Sequence, residues 1–504
     1  MKINYKCLGL VMFVMLICCV SAASATDVDN ITVPDDTSVI EIDDTVDSVE
    51  EVEQDRGTGG CDCGDCNCEI EVPTLPTRLN PITLTPSNYT TKFTNDNVFN
   101  DANVDEVIFN GNFASNTYKT LKFNQGITIT ATGSTFNNIG FEFSHEGIVL
   151  NDATIIMNAP EGVNCYAIDI ENANDAILIN NKISYTCGSD NAAYYNYVIK
   201  VMDSENVTIY NNTITASLPL KDVDYSNYPN GFPGISYDHV AGVAVENASK
   251  FKFTKNVLNV TGHVRGGYFP TLDALLVIKS PNSSIKGNKI YEQDDVTAAE
   301  ETNYLYAVDI YQCDNLTIKC NKIELNSGSG NLTVNGTGGA YGIQLTGGHR
   351  GIVIACNNIT TANNGPNLGI YSQNYEDDTY LTIYGNIINV TGRAGDNPWA
   401  LVSGMELQDT YVNVCNNTVY VNNIGGDYSQ CAYGISYSQE TYMDHYYDIC
   451  NNTVIVVNGE YAVYIIDSIV SNVINNGLLT SVYFGDNATD VQGINCNVTG
   501  NYHP

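Results

Sequence analysis

Basic residues are scarce in this chain of 504 residues, which has 21 Lys and Arg against 57 Asp and Glu and a formal net charge of −36. Nucleic acid is therefore excluded as a partner, because a protein needs cationic side chains to neutralise phosphates. Charged residues make up only 15% of the chain, which is too few for a disordered polyelectrolyte. The polar remainder is mostly Asn, Thr, Ser, Gly and Tyr, which favour strands and tight turns over helices.

Long apolar runs are absent except at the N-terminus. Lys2 and Lys6 precede the apolar stretch 7–20, and the small residues 23–25 follow it. This order is typical of a secretory signal, so residues 1–25 are predicted to be a cleaved signal peptide. The mature chain is then secreted or held at the cell surface. An uncleaved signal segment is the only contact with a membrane that the sequence predicts.

Residues 26–79 are predicted to be a disordered acidic leader that contains a cysteine cluster. Between Asp27 and Asp55 there are twelve acidic residues and no basic residue. Export favours disulfides, within the cluster or to another chain. The spacing is also compatible with Zn²⁺ or another metal ion held by four thiolates. The cysteines of the cluster are Cys61, Cys63, Cys66 and Cys68.

The rest of the chain, residues 80–504, is a repeat. The segments AILINNKI (176–183), VTIYNNTI (207–214) and LTIKCNKI (316–323) share an eight-residue pattern that aligns one asparagine in a column. A second segment of alternating apolar residues precedes such units, as in YAIDI (166–170) and YGIQL (341–345). The column contains Asn181, Asn212, Asn256, Asn288, Asn321, Asn357, Asn386, Asn417, Asn452 and Asn476.

Each unit therefore predicts two short strands, a turn that carries the column asparagine, and a loop of variable length. A single unit cannot bury its inward side chains, so the units must stack as a coil of parallel strands. The sequence predicts an all-β parallel β-helix of roughly 10–13 rungs. We expect the column asparagines to point inward, to adopt the left-handed turn conformation and to hydrogen-bond from rung to rung.

These features resemble the right-handed parallel β-helix proteins. More narrowly, the Asn- and Thr-rich repeats, the acidic leader and the cysteine cluster resemble the adhesin-like surface proteins of methanogenic archaea. The resemblance covers the chain from about residue 80 to its end, together with the leader. It implies a cell-surface protein that binds a surface glycan or a cell-wall component without catalysis and requires no cofactor. The 16 Asn-x-Ser/Thr sequons of this exported chain predict a glycoprotein.

Cysteines of the body also fall in columns. Cys320 and Cys356 share one column and Cys415 and Cys450 share another, each pair on adjacent rungs. Adjacent rungs lie about 4.8 Å apart, which is within the Cα separation of a disulfide, so we expect each pair to be bonded or in contact. The other cysteines of the body are Cys165, Cys187, Cys313, Cys431 and Cys496. Because their number is odd, at least one of them must stay unpaired within the body.

The alternative function is a carbohydrate-active β-helix enzyme, either a polysaccharide hydrolase or a lyase. A hydrolase needs paired carboxylates, but no ordered set of polygalacturonase-like motifs is present. The sequence 347–350, Gly-Gly-His-Arg, is interpreted as a solvent-exposed turn. A lyase needs carboxylates for Ca²⁺ and a basic residue. The candidates are Arg265, Asp294 and Asp295, whose offsets from the column asparagines place them at one edge of the coil.

The variable loops are the predicted partner surface, because stacking fixes the strands and leaves the loops free to vary. Several loops carry aromatic residues, whose rings can lie against a sugar face while a polar tip stays in water. We expect Tyr304 to lie in such a loop as well. The predicted ligand-binding residues are Tyr225, Tyr228, Phe232, Tyr268, Phe269, Tyr291 and Trp399.

Overall fold

The computed structural model describes residues 66, 68–160, 165–187, 196–218, 239–262, 271–294, 304–327, 339–374, 379–394, 401–425, 431–437 and 445–504. These residues belong to one compact unit, Gly59–Pro504. Its 37 strands form one sheet. The described part also has two short 3₁₀ helices, Tyr89–Lys92 and Gly485–Ala488, and no α-helix. No helix in that part is long and apolar enough to cross a membrane.

In chain order the strands are β1 (Pro81–Leu84), β2 (Glu106–Phe109), β3 (Asn112–Phe123), β4 (Thr128–Thr130), β5 (Thr135–Phe143), β6 (Val149–Asn151), β7 (Thr154–Ala159), β8 (Ile168–Glu171), β9 (Ile177–Ile179), β10 (Lys182–Cys187), β11 (Asn196–Met202), β12 (Thr208–Tyr210), β13 (Thr213–Leu218), β14 (His239–Glu246), β15 (Lys252–Thr254), β16 (Val257–Gly262), β17 (Thr271–Ile278), β18 (Ser284–Lys286), β19 (Lys289–Asp294), β20 (Tyr304–Tyr311), β21 (Thr317–Lys319), β22 (Lys322–Ser327), β23 (Ala340–Thr346), β24 (Ile352–Ala355), β25 (Asn358–Ala362), β26 (Asn367–Gln373), β27 (Tyr380–Tyr384), β28 (Ile387–Gly392), β29 (Val402–Gln408), β30 (Tyr411–Cys415), β31 (Thr418–Asn423), β32 (Ala432–Tyr437), β33 (Tyr446–Cys450), β34 (Thr453–Val457), β35 (Tyr461–Ile474), β36 (Gly477–Thr480) and β37 (Thr489–Thr499).

The strands stack in three parallel columns, which we call sheets A, B and C. Sheet A runs from β8 through β11, β14, β17, β20, β23, β26, β29 and β32 to β35. Sheet C runs from β7 through β10, β13, β16, β19, β22, β25, β28, β31 and β34 to β36. Sheet B runs from β1 through β2, β4, β6, β9, β12, β15, β18, β21, β24, β27, β30 and β33 to β35 and β37.

This stacking confirms the predicted parallel β-helix. Each turn of the coil uses one strand of each sheet in the order A, B, C, and the long variable connections lead from sheet C to the next strand of sheet A. Sheet B has fifteen strands among the described residues. The coil therefore has more rungs than predicted, because the rungs before Asn181 and after Asn476 do not show the repeat clearly.

Period-two alternation determines which side chains enter the core. In β13, for example, Ile214, Ala216 and Leu218 are buried while Thr213 and Thr215 are exposed. The inward residues of all three sheets merge into one apolar cluster along the solenoid. In the first rungs the cluster is largely phenylalanine, and the rings of Phe113 and Phe136 stack with centroids 5.2 Å apart. Large rings fill these less regular rungs, which have no asparagine column.

The column asparagines form a buried ladder of amides. The side chain of Asn357 is 1% exposed. Its Oδ1 accepts from the backbone N–H and the Nδ2 of Asn321, both at 2.9 Å. Its own Nδ2 donates to Ile318 O and to Asn386 Oδ1, also at 2.9 Å. The same pattern repeats along the column. Asn501, which the sequence pattern missed, extends the ladder by accepting from Asn476 Nδ2 at 3.0 Å.

The left-handed residue of each turn is the one before the ladder asparagine, so the prediction of the turn conformation was wrong by one position. Asn211, Lys255, Cys320 and Cys356 have φ between 53° and 58° and precede ladder asparagines. The left-handed residue turns the chain from sheet B into sheet C and directs its own side chain away from the core. The ladder asparagine is then free to point inward.

The leader prediction is wrong for its last residues. Residues 66 and 68–79 lie along the solenoid as a strap, which we define by these residues. Cys66 forms a disulfide with Cys356 and Cys68 forms one with Cys320, with Cα atoms 5.6 and 6.1 Å apart. Ile70 and Leu75 pack against an apolar cluster outside the core that contains Val149, Ile179 and Tyr210. At the far end, Arg78 donates to Gly147 O and to Thr128 Oγ1, both at 3.0 Å.

Replacement of Asn357 by leucine should destabilise the solenoid strongly. The change leaves a backbone N–H on Asn321 and the carbonyl of Ile318 without partners in the core. Each unsatisfied group lowers the folding stability by about 1–3 kcal/mol. We expect the free energy of unfolding to fall by about 3 kcal/mol in a denaturant titration.

The matched control is Asn326→Leu, because Asn326 is an exposed residue of β22 on a nearby rung. Its free energy of unfolding should stay within about 0.5 kcal/mol of the original. Equal losses in the two variants would show that the ladder amide is not what stabilises the turn.

Candidate functional site

Most of the predicted ligand-binding residues, namely Tyr225, Tyr228, Phe232, Tyr268, Phe269 and Trp399, lie outside the described residues. Tyr291 is described, and its assignment to a loop is wrong. It lies in β19 on the outer side of sheet C, where Lys322 Nζ stands 5.6 Å from its ring centroid. Tyr304 is likewise the first residue of β20 in sheet A. Two of the aromatics that the sequence analysis assigned to loops therefore lie in strands.

The outer side of sheet A carries a row of tyrosines that alternate with core residues. We call this surface the tyrosine face. Tyr306 and Tyr341 are register partners, and their ring centroids are 5.0 Å apart. The ring of Tyr371 follows at 5.5 Å from that of Tyr341. Farther along the sheet, the rings of Tyr433 and Tyr464 stack at 4.7 Å. Parallel stacking thus holds successive rings in a fixed array along the solenoid axis.

Carboxylates and amides lie between the rings of the tyrosine face. Asp309, Gln344, Tyr371 and Glu406 occupy one column on consecutive strands. Gln344 Nε2 donates to Asp309 Oδ1 at 3.3 Å. Ser436 Oγ donates to Glu406 Oε2 at 2.5 Å. Asp309 and Glu406 are 3% and 0% exposed, so their hydrogen bonds lie within the protein and hold Gln344 and Ser436 in place, while Gln344 itself is half-buried.

Burial raises the pKa of the phenol groups of this face. Desolvation raises the pKa of Tyr304 to about 12. It also raises the pKa of Tyr306, Tyr341 and Tyr433 above the ordinary value of 10.0. Desolvation also raises the pKa of Tyr464, and nearby acidic groups raise it further. The hydroxyls therefore remain neutral donors and acceptors at physiological pH.

Gln408 is a polar residue of the same face that the sequence pattern did not single out. It is 1% exposed, and neither its Oε1 nor its Nε2 has a hydrogen-bond partner in the described structure. The tyrosines themselves had a signal, since each of YAVDI (306–310), YGIQL (341–345) and YGISY (433–437) begins with one. That position was interpreted only as the start of a strand.

Only one of the three lyase candidates lies in the described structure, so their predicted juxtaposition stays a prediction. Arg265 and Asp295 lie outside the described residues. Asp294 is 1% exposed and ends β19 on an inward position of the sheet C alternation. An inward carboxylate on this strand faces the core rather than a substrate on the surface. Among the described residues, no group of three or more His, Cys, Asp or Glu side chains is arranged to hold a metal ion.

Glu292, two residues before Asp294, is a buried glutamate in the core. Its register partners Val260 and Leu325 are apolar core residues. It is 2% exposed, and neither carboxyl oxygen has a hydrogen-bond partner in the described part of the chain. Burial raises the pKa of Glu292 well above its ordinary value of 4.5, and the nearby carboxyls of Asp273, Asp294 and Asp309 raise it further. Glu292 is therefore held in the neutral form.

His349 is buried, so the interpretation of residues 347–350 as a solvent-exposed turn was wrong for this residue. Its Nε2 lies 2.9 Å from Asp409 Oδ1 and 3.2 Å from Ser372 Oγ, and Ser372 Oγ also donates to Asp409. Burial raises the pKa of Asp409, but its contacts with His349, Ser372 and Asn374 outweigh burial and hold it below the ordinary value.

These three residues resemble a hydrolytic triad in composition only. In such a triad the histidine bridges serine and aspartate with its two ring nitrogens. Here one nitrogen, Nε2 of His349, contacts both partners, and Nδ1 has no hydrogen-bond partner among the described residues. All three side chains are 1% exposed or less. The set is a buried polar network rather than a catalytic site.

The predicted cysteine pairings need correction. Cys320 and Cys356 bond to the strap and not to each other. Cys415 and Cys450 are in register on adjacent strands of sheet B, and both are disulfide-bonded. Cys66 and Cys68 are in disulfides and so cannot serve as thiolate ligands of a metal ion, and Cys61 and Cys63 lie outside the described residues. The described cysteines that are not in a disulfide are Cys165, Cys187, Cys313, Cys431 and Cys496.

Comparison with solved structures gives a distant similarity. No protein-family model and no curated protein matches the chain. Among solved structures, PfbA, a surface adhesin of Streptococcus pneumoniae, aligns with 80% of this chain and 86% of its own. The sequence identity is 13% and the TM-score is 0.33. The fold assignment therefore rests on the strand register given above, and no functional argument rests on this similarity.

Replacement of Glu292 by leucine should stabilise the protein at neutral pH. The folded state holds a proton on Glu292 above pH 4.5, where the unfolded chain has released it. The native glutamate therefore costs stability increasingly as pH rises above that value. We expect the variant to gain about 1–4 kcal/mol at pH 7 and less at pH 4, measured by denaturant titration at both values.

The control for this change is Glu324→Leu on the next strand of sheet C, where the carboxylate faces outward and pairs with Lys322 at 2.6 Å. Its effect should be small at both pH values. A loss of stability in Glu292→Leu at pH 7 would contradict the assignment of a neutral, unpaired carboxyl.

Proposed function

We propose that this chain is an exported, adhesin-like surface protein that binds a glycan along the tyrosine face and does not cleave it. The observation that carries the proposal is the array of tyrosine rings in mutual contact along sheet A, with Gln344 among them. Tyr433 and Tyr464 stack, while the rings from Tyr306 through Tyr341 to Tyr371 are tilted or edge-to-face. Each strand of this sheet is fixed by two neighbours, so the array is held ready before a ligand arrives. A preorganised surface loses little entropy on binding.

The chemistry of the tyrosine face suits a carbohydrate. A sugar presents apolar C–H patches and many hydroxyls, and tyrosine offers an apolar ring with a neutral hydroxyl at its tip. Gln344 is half-buried and can both donate to and accept from a sugar hydroxyl, whereas Asp309 and Glu406 are 3% and 0% exposed and accept from Gln344 and Ser436 within the protein. This combination supports binding by stacking and hydrogen bonding together.

The ligand should be neutral or cationic. Lys200 is the described basic residue in the column of Asp309 and Glu406, and it already lies 2.8 Å from Glu171 and 3.2 Å from Asp169. The net charge of −36 opposes the approach of an anionic polymer. Uronate-rich or sulfated polysaccharides should therefore bind poorly.

No observation among the described residues favours the enzyme alternative. Asp309 and Glu406 lie three strands apart in one column, which is about 14 Å at the spacing of parallel strands. Glycosidases hold their two carboxyl groups within about 10 Å of each other. The candidate Asp294 is inward, as described above. We therefore retain binding without cleavage as the proposal.

Surface location and glycosylation are part of the same proposal. Disulfides such as Cys66–Cys356 form and persist in proteins outside the reducing cytosol. The sequon asparagines Asn211, Asn416 and Asn451 are exposed at the left-handed turn position, where the side chain leaves the solenoid. Sugars attached there would stand along the edge between sheets B and C, away from the tyrosine face. The archaeal origin and the aromatic loop residues stay predictions.

A glycan array with the mature chain tests the proposal, with cleavage assayed in parallel as new reducing ends. We expect Tyr371→Ala and Tyr464→Ala each to weaken binding of the best neutral glycan about tenfold. The size of the effect is taken from the stacking of a nucleic-acid base on an aromatic side chain, which contributes about 1–3 kcal/mol. The control is Tyr380→Ala, which removes a 52% exposed ring from the separate stack of Tyr380 and Tyr411 on sheet B.

Equal affinity of all three variants for the glycan would refute the tyrosine face as the site. Release of product would replace binding with catalysis. Circular dichroism and the unfolding midpoint should be unchanged for each variant, which separates loss of contact from loss of fold. Trp399, the only tryptophan in the chain, offers an intrinsic fluorescence signal for the titrations.

A further inference from the structure

The strap runs along the solenoid in the direction opposite to the stacking of the rungs. Cys68 bonds to Cys320 and Cys66 bonds to Cys356, which lies one rung farther along. A methyl group added at Gly385, on the following rung, would lie 2.6 Å from Cys66 Sγ. When the strap is followed toward its N-terminal end, it therefore passes from the rung of Cys320 to rungs nearer the C-terminus. The two described bonds fix both its direction and its pitch.

Two cysteines on the rungs ahead are also disulfide-bonded. Cys415 and Cys450 follow the rung of Gly385 on successive strands of sheet B. Tyr384, on the rung of Gly385, is the register partner of Cys415, and Cys415 is the register partner of Cys450. They share an apolar cluster with Cys356, so they lie on the side of the solenoid that the strap already occupies. Both are in disulfides, and their partners lie outside the described residues.

The spacing of the cysteine cluster matches the spacing of these rungs. The described step from Cys68 to Cys66 covers two residues and one rung. From Cys66, the next cysteines upstream lie three and then two residues away. From Cys356, the cysteine rungs lie two and then one rung away. Extended chain advances about 3.3 Å per residue and parallel strands are about 4.8 Å apart. Three residues therefore cover about 9.9 Å against about 9.6 Å for two rungs.

We propose that Cys63 forms a disulfide with Cys415 and that Cys61 forms one with Cys450. The cluster then makes four bonds to the solenoid, and the strap cross-links the rungs from Cys320 to Cys450. The three-residue step from Cys66 to Cys63 passes over one rung that has no cysteine, and this is the rung of Gly385. The crossed pairing, Cys61 with Cys415, would need the chain to reverse its direction between the two bonds. The other cysteines outside the described residues lie at 7, 18 and 19, in the predicted signal peptide.

Each bond forms by thiol–disulfide exchange with an oxidised dithiol catalyst. Two thiols of this chain lose two protons and two electrons, and the disulfide of the catalyst takes them up to become a dithiol. Formation requires that the rungs are already stacked, because the partners of Cys66 and Cys68 lie 290 and 252 residues away in the sequence. The strap therefore closes after the coil has folded, and it locks the stacked rungs.

A locked strap determines where the leader is attached. Any pull on the N-terminus would enter the solenoid first at the rung of Cys450 and then at the rungs of Cys415, Cys356 and Cys320. The rungs between the start of β1 and Cys320 would carry none of this load. Among them, the rungs before Asn181 have no ladder asparagine and are packed with phenylalanines such as Phe113 and Phe136, so these rungs gain most from such a bypass.

Peptide mapping of the untreated, non-reduced protein tests the pairing. A protease that cuts before aspartate separates Cys61, Cys63 and Cys66 at Asp62 and Asp65, and it separates Cys415 from Cys450 at Asp427 and Asp444. We expect peptide 62–64 linked to the Cys415 peptide, and the peptide that ends at Cys61 linked to the Cys450 peptide. Crossed pairs, a Cys415–Cys450 link, or links to Cys165 or Cys496 would overturn the proposal.

Thiol labelling of variants gives a second readout. Cys63→Ser should expose one new thiol, at Cys415, and Cys61→Ser should expose one at Cys450. Cys313→Ser, which removes a free cysteine, should expose none. Deletion of Gly64 shortens the middle step to two residues, or about 6.6 Å, which is too short for two rungs. Cys415 should then become reactive, and an unreactive Cys415 in this deletion would contradict the proposed register.

Discussion

The side-chain amide of one asparagine per rung is the interaction on which the rest of this solenoid depends. A turn between two stacked strands leaves backbone groups that point into the core, where water cannot satisfy them. The ladder amide has two donors and one acceptor oxygen, and it serves the turn above and the turn below at once, as at Asn321, Asn357 and Asn386. Its geometry allows one register between sheets B and C. The variable connections from sheet C to sheet A lie outside this constraint, which is why they tolerate insertions.

The sequence was informative about the coil because the coil is local and repeated. Period two and the asparagine column both recur within one unit, so they are visible without knowledge of the fold. The left-handed residue was placed one position too late because the pattern contains two consecutive asparagines in units such as 211–212. Backbone geometry alone decides which of the two turns and which enters the core. The first rungs showed no column because phenylalanines such as Phe113 and Phe136 replace the ladder there.

The strap and the buried polar residues could not be predicted by the same means. Cys66 and Cys356 are 290 residues apart, and nothing near either one encodes the other. The match between cysteine spacing and rung spacing becomes visible only after the rungs are known. Glu292 and His349 break the rule that charged residues lie outside, since both are buried in positions where the alternation pattern expects apolar or exposed residues. A pattern can show where such a residue lies, but the partners that surround it come from other rungs.

The tyrosine face shows how the solenoid pitch limits recognition. Neighbouring rings such as Tyr433 and Tyr464 are 4.7 Å apart, so each ring covers the face of the next and no sugar ring fits between them. A ligand on this surface meets ring edges and hydroxyls, and full ring faces only where a stack ends. Glu406 and Ser436 occupy the two strands between Tyr371 and Tyr464 in their column, so the row of rings is interrupted there. Both side chains are buried, at 0% and 1% exposed, and Ser436 donates to Glu406, so this gap is filled by the protein itself. The pitch of the solenoid therefore limits recognition on this face mainly to the edges and hydroxyls of the half-buried rings.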